Sequence, residues 1–418
     1  MAYGSCRGMR RYVNRVFELE KRLGGMSDSR VDPTVPLPPI MKTWIWAFMR
    51  RTASTEQIGN LLKDARWRKR VGLTDEDGGS PDTAARALDT LKLEEIQEQA
   101  VDLFLVARRE GLLKDDGPFG HRGLIVDMNE LFCSESIHCA DCQVREKEVV
   151  RNGEKQKVKE YYHQAVALIW ASGELPWVIG WEMLHPGEGE LPAALRLLDR
   201  LLPRVRRSAN WVMGDALYCC RPFYQLVHAH GLEGMAISSG VTEMDGDIEL
   251  LMKTEPGRMT PAQVAVWEYE SEAWVKDVKC KLRVIHCERR YAAKSYKHER
   301  RSLRLITTAP VEVLPAGQAW RVGRCRWWIE NGTFNILTRD YQLTHNYRHT
   351  PTAIAVLLFL RSLAQCLVQL YRRFATARSQ DAPKTGVEWF RLVLQDDWTR
   401  YLDTAWAEPA HLPALDGG

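Results

Sequence analysis

Hydrophobic positions change their period along this chain. From Ile40 to Leu113 apolar residues recur three and four apart (Trp44 and Phe48; Ile58, Leu61 and Leu62; Leu88, Leu91, Leu103 and Val106), with breaks at Gly72 and from Gly78 to Pro81. That spacing gives each segment one apolar stripe and predicts an all-α N-terminal region. Ahead of it, Pro33 to Pro39 predicts an extended linker, because proline lacks the amide hydrogen that a helix interior needs.

After Gly117-Pro118 the pattern shortens to strand-like runs. Gly123 to Asp127 is apolar and ends in a carboxylate; Tyr161 to Ser172 and Leu175 to Met183 are rich in β-branched and aromatic residues. A helix follows, with Pro192 in its first turn and Leu191, Leu195, Leu198 and Leu202 at helical spacing. Trp211 to Asp215 is a further strand ending in a carboxylate. Pro222 then opens a helix closed by Gly231, and Met235 to Ser239 makes a fifth strand. From Gly240 to Pro310 the sequence alternates and is highly charged, with strand-like pieces at 262–268, 273–287 and 303–308, which reads as an insertion into the core. Helical patterning returns at Arg324 to Asp340 and Ile354 to Phe374.

Composition narrows the class. At 418 residues and 45% hydrophobic content the chain has material for two or three packed domains. A net charge of +4 permits nucleic-acid binding without pointing to it. Ten cysteines without a secretory leader predict reduced thiols in a cytoplasm. Ala353 to Leu370, the most apolar stretch, is broken by Arg361 and Gln365, which predicts a buried helix and no membrane span.

Two aspartates at the ends of separate strands can bring their carboxylates together at one sheet edge. Such oxygens suit Mg²⁺, and in-line attack on a phosphodiester uses two such ions about 3.5–4 Å apart. Glu330 supplies a third acid: Arg326 and Glu330 lie four apart on one helix face, with Trp327 and Trp328 expected to anchor that helix. Taken singly, each acid reads better as a turn residue or a solvated helix position; only the ordered set argues chemistry.

The ordered set, with its local sequences, resembles the RNase H-like core of bacterial insertion-sequence DDE transposases. The residues that carry the resemblance are Leu124-Ile-Val-Asp127 with Leu131-Phe-Cys-Ser134, Cys139-Ala-Asp-Cys142 with Tyr161-Tyr-His163, Gly214-Asp-Ala-Leu-Tyr218, and Arg326-Trp-Trp-Ile-Glu330-Asn-Gly-Thr-Phe334-Asn. It extends over about Thr43 to Leu370. Departures are Met128 where a glycine is usual, Gly323 at a tyrosine position and Leu337 at a lysine position.

The resemblance implies an α/β protein with an RNase H-like mixed sheet flanked by helices. Residues 1–117 would form a helical DNA-binding region, 118–345 the catalytic core with a β-rich insertion at about 240–310, and 346–418 a helical C-terminal region. It further implies Mg²⁺-dependent cleavage at transposon ends and strand transfer into target DNA. Asp127, Asp215 and Glu330 would hold two Mg²⁺ ions, with Mn²⁺ able to substitute, and Arg326 would orient a phosphate or steady Glu330. Double-stranded DNA is the expected partner, bound by a homodimer or larger assembly at the bacterial nucleoid. A transposase-derived DNA-binding protein without catalysis and an RNase H-like nuclease remain open alternatives.

Three secondary signals remain. Cys139-x-x-Cys142 has zinc-ligand spacing, with Cys133, His138 and His163 as completing candidates, whereas Cys280 and Cys287 read as strand residues. Lys276 to Arg304 interleaves basic and aromatic residues, which nominates Arg289, Arg290, Arg300 and Arg301 as phosphate contacts and Trp274 (or Trp267) as a stacking platform, against core packing or a solvated face. Arg50-Arg51 and Arg66-Trp-Arg-Lys-Arg70 are candidates for holding a DNA end, in a region where a helix-turn-helix is compatible with the pattern.

Overall fold

The helical period of the N-terminal third is realised as α1 (Cys6–Phe17), α2 (Leu19–Gly24), α3 (Leu37–Met49), α4 (Thr55–Lys63), α5 (Ala65–Val71), α6 (Pro81–Ala87) and α7 (Leu93–Arg109). The computed structural model describes residues 4–403 except 53, 75–79, 115–121, 152, 172–174, 239, 241–242, 275–280, 291–299, 378 and 384. At 243, 271–274, 290, 300 and 328 it describes the backbone alone. The expected linker at Pro33 to Pro39 is not all extended: Pro38 and Pro39 lie in the first turn of α3. First-turn amides have no partner within the helix, so proline costs nothing there.

The sheet contains β1 (Gly123–Ser134), β2 (Gln143–Arg151), β3 (Glu154–Trp170), β4 (Trp177–Met183), β5 (Trp211–Gly214) and β6 (Glu233–Ile237), with α8 (Glu190–Val205) before β5 and α9 (Arg221–Ala229) after it. β4, β3 and β1 are antiparallel neighbours, and β1, β5 and β6 run parallel. Gly123 to Asp127 and Ala165 to Trp170 are buried throughout, as strands covered on both faces should be. β1 does not stop at Asp127, as its apolar run suggested, but continues to Ser134, where pairing with β3 resumes after a bulge.

After α10 (Glu243–Thr254), the strands β7 (Arg258–Met259), β8 (Val264–Trp274), β9 (Lys281–Arg290) and β10 (Arg300–Thr307) form an antiparallel meander. β10 pairs with β6, so the expected insertion continues the central sheet. The full order is β2-β3-β1-β5-β6-β10-β9-β8-β7, with β4 also on β3.

Beyond the sheet come α11 (Ala316–Ile329), a π-helical turn at Glu330–Phe334, α12 (Asn335–Tyr341), α13 (Pro351–Thr376), α14 (Gly386–Phe390), a second π-helical stretch at Arg391–Asp396, and α15 (Asp397–Asp403). The apolar stretch at Ala353 lies in α13, which is long and apolar enough to cross a membrane but has 83% of that stretch buried inside the protein. Arg361, fully enclosed within it, donates 2.9 Å hydrogen bonds to the Leu343 and His345 carbonyls. A helix apolar all round suits the middle of a large core. The N-terminal helices and the last described helix meet beside it. The Cys6 amide donates to Asp397 Oδ2 at 2.9 Å, and Trp46 of α3 stacks on Tyr401 of α15 with ring centroids 6.0 Å apart.

Candidate functional site

The acid cluster is assembled by three elements. Parallel pairing sets Gly123 against Trp211, Leu124 against Val212 and Ile125 against Met213, so Asp127 and Asp215 each follow two residues after the last pair, at the same edge of the sheet. The two carboxylates are close enough that the Asp215 charge raises the Asp127 carboxyl. Asp215 starts a short 3₁₀ turn and its Oδ1 accepts the Leu217 amide at 2.9 Å. That is the capping role an isolated aspartate would have, and it leaves Oδ2 available.

α11 packs across β8, β9 and β10, and Arg326 in its last turn reaches Asp127 of β1. Arg326 Nη1 lies 2.5 Å from Glu330 Oε1 and 3.5 Å from Asp127 Oδ2. Glu330 opens the π-helical turn, a local widening that often accompanies function. The anchoring of α11 differs from the sequence reading. Trp327 is 42% exposed, and the helix is held instead by the buried Val322, Cys325 and Ile329. The side chain of Trp328 lies outside the described residues.

A fourth acid joins the cluster without any sequence signal. Glu190, at the start of α8, accepts a 2.7 Å hydrogen bond from the Tyr218 hydroxyl. Tyr218 is fully buried against Gly214, where any β-carbon would lie 2.3 Å from its ring. Gly214-Asp-Ala-Leu-Tyr218 is therefore a packing unit: the glycine admits the ring, and the ring's hydroxyl fixes Glu190.

Electrostatics bind these groups into one unit. Burial pushes the Asp127 carboxyl up to about 7; Arg326 opposes that, while Glu330, Glu190 and Asp215 add to it. The Glu190 carboxyl is likewise raised by burial, against the Tyr218 hydrogen bond and with repulsion from Asp215. A cluster of carboxylates in this state is poorly compensated by one arginine and is suited to a multivalent cation.

Beside the acids, β10, α11 and the end of β6 enclose a cleft of about 310 Å³ whose lining includes His286, Arg304, Trp320, Arg324, Arg326 and Trp327. Arg324 lies over the rings of Trp320 and Trp327 at 5.6 and 5.2 Å, and its enclosed Nη1 has no hydrogen-bond partner among the described residues. Two departures from the resembled pattern have steric causes. A β-carbon at Gly323 would lie 2.2 Å from Leu303 Cδ2 of β10, and Leu337 is fully buried in α12.

The basic candidates divide. On the β9–β10 hairpin Arg289 faces Arg301 and Arg290 faces Arg300 in register. The side chains of Arg290, Arg300 and Trp274 lie outside the described residues, as does all of Cys280. Trp267 donates from Nε1 to the Glu255 carbonyl at 3.0 Å and packs on Gly257, which is the packing reading of that residue. The N-terminal arginines are engaged within the fold. Arg50 lies 4.0 Å over Trp398, Arg51 pairs with Asp340 at 3.1 Å, Arg66 pairs with Asp403 at 2.7 Å, and Arg70 donates to the Tyr401 and Leu402 carbonyls. Arg68 is buried and donates to the Leu62 and Thr74 carbonyls.

A second cluster lies apart from the acids. Cys139, Cys142, His163 and His349 direct ligand atoms to one point, all within 4.8 Å of one another. Of the completing residues considered from sequence, His163 is present. Cys133 is exposed outside the group, and His138 instead stacks on Tyr161 with ring centroids 4.6 Å apart. His349 carried no signal, being more than two hundred residues from the cysteines. Cys287 is a buried strand residue, as expected.

No protein-family model matches the chain, and no curated protein is found to be related to it.

Proposed function

We propose that this chain is a DDE transposase with an RNase H-like core, cleaving DNA at transposon ends and transferring the freed strand into target DNA. The observation that carries the proposal is the convergence of Asp127, Arg326 and Glu330, residues about two hundred positions apart, near an Asp215 whose charge acts on Asp127. The strand arrangement agrees: three antiparallel strands ordered β4-β3-β1, then the parallel β5 and β6, is the sheet expected of an RNase H-like core. So does the position of Glu330 on a helix that follows a β-rich insertion.

Asp127, Asp215 and Glu330 offer hard oxygen donors of the kind Mg²⁺ takes, and the raised Asp127 carboxyl fits a site that needs a cation. Bound there, divalent ions would supply activation of the attacking oxygen and stabilisation of the leaving one. The protein's own contributions are separate. Burial of Asp127 limits water at the acids, Tyr218 orients Glu190, and Arg326 holds Glu330 toward Asp127 while directing positive charge where a phosphate would sit. Arg324 and Trp327 in the adjoining cleft suit a phosphate and a base face. The basic positions Arg289, Arg290, Arg300 and Arg301, in register on β9 and β10, suit a nucleic-acid backbone as partner.

The test uses a supercoiled plasmid carrying the genomic sequences that flank the coding region. The wild-type chain should cut the plasmid with Mg²⁺ or Mn²⁺ and give joined products, and Asp215→Asn should bind the same DNA without cutting it. Cutting without joining would favour an RNase H-like nuclease. Binding without cutting by the wild type would favour a transposase-derived DNA-binding protein.

A further inference from the structure

We propose that Cys139, Cys142, His163 and His349 form a structural zinc site that fastens the start of α13 to the central sheet. The distances are those of a coordination sphere. Cys139 Sγ and Cys142 Sγ are 3.8 Å apart; His163 Nε2 is 3.4 Å from the first and 3.3 Å from the second; His349 Nε2 is 3.2 Å from Cys142 Sγ. A tetrahedral zinc with bonds of about 2.3 Å to sulfur and 2.0–2.1 Å to nitrogen requires donor–donor edges of roughly 3.8 Å for S–S and 3.6 Å for S–N. A disulfide does not account for the pair, since it requires sulfurs at about 2.05 Å. A pair of thiols packed as small hydrophobes would not draw two imidazole nitrogens onto the same point.

The surroundings support a metal. The cysteines lie in the turn between β1 and β2, where the Cys139 amide donates to Cys142 Sγ at 3.3 Å and so fixes the turn that presents both sulfurs. His163 is 1% exposed on β3, and the His349 ring packs against Phe132 and His163 at 5.2 and 5.1 Å. Two sulfurs and two imidazoles suit zinc over the hard cations proposed for the acids. Four protein ligands also close the sphere, leaving no position for substrate, so the role is structural.

The site joins parts of the chain that local sequence does not connect. His349 lies between Arg348, whose Nη2 is 2.8 Å from Asp89 Oδ2, and Thr350, which hydrogen-bonds Asp89 and caps α13. Asp89 precedes α7, so one short segment is tied to the N-terminal helices through Asp89 and to the sheet through the metal. His163 is four residues from Ala167, the cross-strand partner of Asp127, or about 13 Å along β3. The zinc would set the relation of the sheet to the helices that follow Glu330 without entering the acid cluster.

The test is independent of any DNA reaction. The full chain, purified reduced and without a metal-affinity step, should carry one zinc per molecule by elemental analysis. After chelation, added Co²⁺ should give the visible bands of tetrahedral cobalt with sulfur-to-metal charge transfer, and the thiols of Cys139 and Cys142 should become reactive only once metal is removed. His349→Ala and Cys142→Ser should lose stoichiometric zinc and the cobalt spectrum, while Cys133→Ser and His138→Ala retain both. His349→Ala is the decisive variant should Cys142→Ser fail to fold, because its partly exposed ring can be removed with less loss of packing; circular dichroism establishes that it is folded. A folded His349→Ala chain with unchanged metal content would overturn the proposal. So would a wild-type chain with substoichiometric zinc that gives no tetrahedral cobalt spectrum.

Discussion

The Tyr218 hydroxyl donates a 2.7 Å hydrogen bond to Glu190 Oε1, joining the 3₁₀ turn after β5 to the first turn of α8. Both groups lie beside Asp215, so the contact fixes how much negative charge faces the acids. Tyr218→Phe should cost about 0.5–1.5 kcal/mol of stability, the usual net worth of one such bond, and should release Glu190. On the proposed function, cleavage should fall several-fold and the Mg²⁺ concentration for half-maximal rate should rise. A variant with an unchanged metal dependence would remove Glu190 from the site.

The Asp127 carboxyl ties stability to pH in the metal-free protein. Its pKa rises from the ordinary 3.8 to about 7 on folding, chiefly through burial. Between those values the folded chain holds a proton that the unfolded chain has released, so stability falls as pH increases from about 4 to about 7, by at most about 4 kcal/mol. Asp127→Asn cannot ionise. In EDTA its urea-unfolding free energy should match the wild type near pH 4 and exceed it at pH 8. Mg²⁺ should recover the wild type at pH 8 while leaving the variant nearly unaffected. Parallel pH profiles for the two proteins would contradict the coupling of Asp127 to its acidic neighbours.

Much of the core was legible in sequence because its strands are buried on both faces and its helices carry single apolar stripes. The parallel strands ending near Asp215 and Ile237, and the helices opened by Pro192 and Pro222, follow from those signals. β2 escaped because Val144 and Val150 are exposed among charged residues, leaving no face with a hydrophobic period. Glu190 and His349 escaped for another reason: each joins its cluster through tertiary contacts, and neither lies at a motif spacing from its partners. Trp327 misled because a large aromatic beside Glu330 reads as an anchor, whereas it lines the neighbouring cleft.

Gly323 and Leu337 should resist the tyrosine and lysine that the resemblance leads one to expect. Leu337→Lys would put an ammonium into a fully buried position and should cost 3 kcal/mol or more. Gly323→Ala should cost about 1–3 kcal/mol by driving its new methyl into Leu303. Leu303→Ala makes room for that methyl, so the double variant should be more stable than the sum of the two single changes predicts. Strict additivity in chemical denaturation would show that the Gly323–Leu303 contact does not explain the glycine.

The paired arginines of the β9–β10 hairpin give the most direct test of a DNA surface. Arg289 faces Arg301 and Arg290 faces Arg300 in register along the hairpin. If they follow a phosphate backbone, changing all four to glutamine should weaken binding to many duplex sequences alike. The plot of log affinity against log salt should also become shallower by roughly 0.9 for each phosphate contact removed. Base-reading residues would alter sequence preference more than salt slope, because phosphate contacts carry no sequence information. Side chains on a merely solvated face would change neither quantity. Thermal unfolding establishes whether the quadruple variant is as stable as the wild type, so that lost binding is not read from a folding defect. Titration of a labelled duplex at several salt concentrations, alongside thermal unfolding, separates these cases. An unchanged salt slope in a stably folded variant would remove this hairpin from the DNA interface.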